Sequence, residues 1–207
     1  VHVSEGILTG PVLAAGATLA AAGVAYGLRR MPVANTPRTA MLAAVFFVAS
    51  LIHVPFGPSN VHLILNGLAG LLLGWSVFPA LAVALLLQAM LFQFGGLTVL
   101  GVNTAIMGLP GVLVYFVFGR ACRRARSTAG IFAVGAAAGA LSVCMSGLML
   151  TGALALGGRA FLGIAGAVLA ANVPVVVVDG LVTGFCLVLM RRVRPEALAA
   201  SGGEAGG

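Results

Sequence analysis

Long runs of apolar residues, broken by short clusters of arginine and almost never by an acid, leave this chain few ways to fold. An uncharged apolar run of about 20 residues crosses the hydrocarbon of a bilayer as a helix, because a helix satisfies its backbone polar groups internally. With 61% hydrophobic and 7% charged residues and a mean hydropathy of +1.16, the chain lacks the roughly one-quarter charged residues with which a water-soluble domain covers itself. The expectation is an all-α polytopic membrane protein.

The pattern predicts about seven transmembrane helices: residues 11–28, 39–54, 61–77, 79–92, 104–119 with Pro110 bending it, 129–156, and 161–190, broken around Asn172, Val173 and Pro174. Residues 54–60 read as a helix-breaking loop, and 93–103 as a glycine-rich re-entrant or lining loop. Seven crossings place Arg29, Arg30, Arg38, Arg120, Arg123, Arg124, Arg126, Arg191, Arg192 and Arg194 on one side and only Arg159 on the other. Positive charge gathers on the cytoplasmic side, so the N-terminus is expected outside and the C-terminus in the cytoplasm. Residues 1–194 then form one transmembrane domain whose segment 1–10 chelates metal, and 195–207 a flexible cytoplasmic tail.

The net charge of +7 is accounted for by these topology determinants, which argues against a nucleic-acid partner. Cys122, Cys144 and Cys186 have no short pairing and read as small apolar residues. No basic segment precedes the first apolar run, so residue 1 is expected to be kept, with Val1 reflecting an unusual start codon.

The first residues, Val1-His2-Val3-Ser4-Glu5-Gly6-Ile7-Leu8, carry the most specific chemistry. A terminal amine followed by histidine is a chelator: the amine, the His2 amide nitrogen and the His2 imidazole close a five-membered and a six-membered ring on one cation. One in-plane position stays open for another imidazole, a geometry that suits Ni(II), Cu(II) or Co(II). The plain alternative makes His2 a frayed terminal residue at a membrane surface. His62 is the candidate fourth nitrogen, and otherwise a histidine capping the start of the third helix. His53 is either a further imidazole or a packing histidine one turn inside the second helix.

Asn60, Asn66, Gln88, Gln93 and Asn103 are amides in or beside apolar helices, where an unpaired polar group is costly. They line a site by bonding a ligand imidazole, or they join helices, with Asn103 the leading lining candidate. Asp179, the one acid inside an apolar run, balances the cation, takes a ligand histidine's proton, or pairs with an arginine. Glu5 carries the same ambiguity and can also anchor the terminal segment to backbone amides. There is no GxxxxGK[ST] loop and no HExxH, so neither ATP hydrolysis nor zinc proteolysis is expected of this chain.

Three stretches then resemble one family. His2-Val3-Ser4-Glu5-Gly6-Ile7-Leu8 resembles the "MHI-x-EG-[FIL]-L" opening, and Val61-His62-Leu63-Ile64-Leu65-Asn66-Gly67-Leu68 resembles the histidine-bearing helix start. Gln93-Phe94-Gly95-Gly96-Leu97-Thr98-Val99-Leu100-Gly101-Val102-Asn103-Thr104 resembles the "GGLTTLGxNT" loop of the substrate-binding membrane subunits of cobalt and nickel energy-coupling factor transporters, the CbiM/NikM family. The resemblance spans residues 1 to about 190. It implies a non-catalytic subunit of the bacterial cytoplasmic (inner) membrane, with no prosthetic group, that binds Co(II) for cobalamin synthesis or Ni(II) for metalloenzymes. The implied ligands are the Val1 amine, the His2 amide nitrogen and imidazole, and His62. The implied partners are a transmembrane coupling subunit, two cytoplasmic ATPases and, in some systems, a small accessory membrane subunit. Val1 departs from the family's Met, and Asp179 stands where relatives carry Glu. Two rival readings are an autonomous metal permease without ATPases and a structural membrane subunit that binds no metal.

Overall fold

The computed structural model describes residues 3–51, 53–56, 59–156, 166, 169–170 and 172–194, with backbone alone for 53–56 and 59–62. Its elements are α1 (Gly10–Arg30), α2 (Thr36–Leu51), β1 (His53–Phe56), β2 (Ser59–His62), α3 (Asn66–Leu73), α4 (Val77–Phe92), α5 (Leu100–Arg124), α6 (Thr128–Leu156) and α7 (Val173–Val193). Five described stretches are long and apolar enough to cross a membrane: Gly10–Arg30, Asn66–Phe92, Leu100–Arg124, Thr128–Leu156 and Val173–Val193. The protein is therefore a polytopic, helical membrane protein.

Asn66–Phe92 does not pass straight through. Gly74 takes a positive φ of 55°, a conformation open to glycine because it has no Cβ, and a single 3-10 turn over Gly74–Ser76 follows. Trp75 packs edge-on against Phe116 of α5 and Tyr26 of α1, at centroid distances of 6.5 and 4.7 Å. Phe78, three residues on, already lies against Gly108 of α5 and Gly23 of α1. The chain thus descends beside α5 as α3 and climbs back as α4, which keeps segments three and four of the hydropathy pattern as separate arms of one reversal.

The arms sit close because small residues face one another. A Cβ on Gly70 of α3 would collide with the backbone of Gly111 in α5, and a Cβ on Gly67 would lie 2.9 Å from the Gly139 Cα of α6. In a membrane, where lipid tails compete for apolar contact, such backbone approach and its dispersion energy hold helices together. Pro110 removes one N–H from α5, which frees the Ile106 carbonyl four residues back. The Ser146 hydroxyl of α6 donates to that carbonyl at 3.0 Å.

The arginine clusters meet at one end of the bundle. Gly16 lies against Val102 and Gly27 against Trp75, so α1 and α5 run in the same direction. Arg191 at the end of α7 donates to the carbonyls of Ala125 and Arg126, the latter at 3.0 Å, which brings Arg29 and Arg30, the 120–126 cluster and Arg191–194 together.

The segment between α2 and α3 departs from the pattern-based expectation. Helix α2 begins at Thr36 and stops at Leu51. His53 therefore lies on a strand and not inside a helix, and 54–60 is not a plain loop. The strands β1 and β2 pair antiparallel with His53 opposite His62 and Pro55 opposite Asn60. A two-stranded ribbon has only edges, so Pro55 is tolerated there, and His62 belongs to a strand four residues before α3. Likewise α5 starts at Leu100, which leaves only 93–99 outside a helix and puts Asn103 on a helix. Of the last predicted span, 161–165, 167–168 and 171 lie outside the described residues. So do 195–207.

Candidate functional site

The N-terminal segment enters the bundle at the end opposite the arginines. Val3 is 2% exposed and Leu8 is 8% exposed, and both pack with Val99, Val102, Ile106, Leu150 and Leu154. These two apolar side chains drive the segment into the groove between α5 and α6.

Polar bonds then set its position. The Val3 N–H donates to Asn103 Oδ1 at 2.9 Å, and Asn103 Nδ2 donates to the Val3 carbonyl at 3.2 Å. An amide side chain has one acceptor and one donor group in a plane, so it can replace a strand partner for a single residue. Asn103 is 2% exposed, and with both groups used it carries no unmet desolvation cost.

Glu5 fixes the same segment one step further along. Its Oε1 accepts from the Thr98 N–H at 3.0 Å and from the Thr98 hydroxyl at 3.1 Å. These bonds, the backbone one foremost, hold the Glu5 carboxyl below the ordinary glutamate pKa. Gly96 makes room for this contact: its φ is 130°, and a Cβ there would strike the Glu5 carboxylate.

A second anchor lies on α7. Asp179 is fully buried, and its Oδ2 accepts from the Ile64 N–H at 2.8 Å and the Leu65 N–H at 2.9 Å. Leu65 adopts a left-handed φ of 51°, which a branched side chain takes only when its surroundings impose it. Two successive N–H groups turned onto one carboxylate oxygen supply that constraint. Among the described residues Asp179 Oδ1 has no hydrogen-bond partner, so no arginine bonds that oxygen there. It anchors backbone two residues beyond His62.

The other predicted residues divide. Asn66 is fully buried and donates from Nδ2 to the Met107 carbonyl at 3.1 Å and to Ser146 Oγ at 2.9 Å, so it ties α3 to α5 and α6. Gln93 is exposed and closes α4 in a left-handed conformation with φ 56°. His53 and His62 hold directly opposite rungs of the ribbon, and Asn60 lies two rungs from them along β2. The side chains of His53, Asn60 and His62 lie outside the described residues. Val1 and His2 lie outside them too. Among the described residues no group of three His, Cys, Asp or Glu side chains could hold a metal.

Residue typing overlooked Thr98, Gly96 and Ser146. The Gly95-Gly96-Leu97-Thr98 run signalled irregular backbone, but its use as a socket for Glu5 follows from contacts across 93 residues of sequence.

Known proteins of similar sequence and shape agree with one another. The profile of CbiM, the cobalt uptake substrate-specific transmembrane region, matches residues 2–197. A Haemophilus influenzae protein named for metal transport is 43% identical over 95% of this chain and 96% of its own. The cobalt transport protein CbiM of Geobacter sulfurreducens is 33% identical over 97% of this chain and 62% of its own length. In shape, the crystal structure of a transition metal transporter superposes with a TM-score of 0.73 at 21% identity, covering 93% of each chain. A truncated transition metal transporter superposes with a TM-score of 0.71, covering 95% of this chain and 99% of its own. The chain belongs to the CbiM/NikM family, the non-catalytic substrate-binding membrane subunits of cobalt and nickel energy-coupling factor transporters.

Proposed function

We propose that this chain captures one Co(II) or Ni(II) ion outside the bacterial cytoplasmic membrane as the substrate of an ATP-driven importer. The ligands are the residue-1 amine, the His2 amide nitrogen and imidazole, and the His62 imidazole, four nitrogens in one plane. This set requires residue 1 to be the first of the mature chain. The ion then passes inward when a transmembrane coupling subunit and two cytoplasmic ATPases reorient the bundle. The protein crosses the membrane seven times with the arginine-bearing end in the cytoplasm, following the charge asymmetry.

The observation that carries this reading is the two-way bond between Asn103 and Val3. It anchors the residue after His2 at the end of the bundle that also holds the ribbon bearing His53 and His62. A chain end serving only as a tether has no use for a buried amide spent entirely on its backbone. Two neutral-imidazole donors, a free amine and an ionised amide make binding proton-linked, so affinity rises with pH.

Elemental analysis and equilibrium dialysis of protein with a free, untagged N-terminus test the reading. The expected result is one Co(II) or Ni(II) per chain, abolished by a single residue added before position 1 and by His62→Ala. Undiminished binding and uptake by the extended chain would sink the amine ligand; no binding by the unmodified chain would sink the reading itself.

A further inference from the structure

Asp179 is the one buried acid in the described bundle, and the ligand set above does not use it. It accepts hydrogen bonds from the N–H groups of Ile64 and Leu65, at 2.8 and 2.9 Å, and both reach the same oxygen, Oδ2. Those residues are the second and third after His62, and Leu65 is held in a left-handed conformation at φ 51°. The strand β2 ends at His62, and α3 starts at Asn66. Residues 63–65 alone join β2 to α3, and Asp179 grips two of the three.

We infer that Asp179 is the positioning residue of the His62 arm, setting through the backbone of Ile64 and Leu65 where residue 62 stands relative to the N-terminal segment. The inference rests on the proposed ligand set and adds a residue outside that set, acting through backbone it holds. A carboxyl oxygen has two lone pairs and receives both N–H groups at normal hydrogen-bond lengths. The bonds span 115 and 114 residues of sequence, so they fix tertiary position and not local helix geometry. The N-terminal half of the site has its own anchors in Asn103 and Glu5. The fourth nitrogen comes from a separate arm, and planar coordination tolerates little error between the two.

Hydrogen bonding and charge are separable here. Asparagine keeps an acceptor oxygen for both N–H groups and removes the charge; leucine removes both while keeping the branched outline. The control is Thr183→Val on the same helix, one turn away, at an equally buried hydroxyl without a partner among the described residues. The experiment measures Ni(II) and Co(II) dissociation constants and the visible absorption spectrum of bound Ni(II) in purified full-length protein, with monodispersity and circular dichroism as fold checks. Asp179→Leu is expected to weaken binding by at least about tenfold and to shift the spectrum away from the planar four-nitrogen form, as loss of groups that orient ligands does. Asp179→Asn and Thr183→Val are expected to keep the parent spectrum and affinity within about threefold, below the range of such losses. If Asp179→Leu does not fold, Asp179→Ser, whose hydroxyl is too short to reach the arm, carries the same expectation. Unchanged affinity and spectrum in a folded Leu or Ser variant overturn the inference, and so does an Asn variant as weak as the Leu variant, which would assign the role to charge. Absence of binding by the parent protein would instead overturn the ligand set.

Discussion

Asn103 and Val3, a hundred residues apart, exchange two hydrogen bonds at 2.9 and 3.2 Å, so that a side chain on α5 pairs with the N-terminal segment as a neighbouring strand would. The segment is also wedged by Val3 and Leu8 into an apolar groove. Burial keeps it inserted, and Asn103 sets how far and in which rotation.

Replacing Asn103 by Ala removes both bonds and leaves a buried N–H and a buried carbonyl unpaired. Leu8 and the surrounding helices still pack, so the bundle is expected to stay folded. Metal affinity in equilibrium dialysis is expected to fall about 10- to 100-fold, the range seen when groups that orient ligands are lost.

Glu5 introduces a pH dependence whose sign follows from its depressed pKa. A carboxyl held lower in the folded than in the unfolded protein stabilises the fold fully above its unfolded value. The contribution is lost as pH falls through the folded value. The Thr98 amide resonance in an NMR titration is therefore expected to move with a midpoint below the ordinary glutamate value, and Glu5→Gln to abolish the transition.

Gly96→Ala meets two obstacles at once: a φ of 130° that L-residues rarely adopt, and a methyl group driven into the Glu5 carboxylate. The backbone strain alone is on the order of 1–3 kcal/mol. The variant is expected to insert in membranes, lose the Glu5-dependent Thr98 titration, and bind metal more weakly than the parent.

Ser146 meets the carbonyl that Pro110 leaves without a helical donor. Ser146→Ala is expected to lower unfolding free energy in detergent by about 1–3 kcal/mol, the cost of stranding buried polar groups. Adding Pro110→Ala restores an N–H for Ile106 and is expected to recover part of the loss, with metal affinity unchanged in both variants. A double-mutant cycle measures the recovery.

Residue order alone made the membrane bundle legible, because apolar runs and arginine clusters are local signals and the bilayer admits few solutions to them. It also singled out the N-terminal histidine motif, whose chelating geometry is a matter of adjacent atoms. The ribbon at 53–62 escaped that reading, since two prolines and a glycine look like any breaker and two short strands gain their stability from what they rest on. Anchoring to backbone amides was legible for Glu5, but its partner was not, and the anchoring roles of Asp179 and Asn103 were out of reach: each side chain bonds backbone 93 to 115 residues away. Hydropathy says that such groups need partners; only the packing of glycine-faced helices, which brings those distant backbones within reach, decides which partners they find.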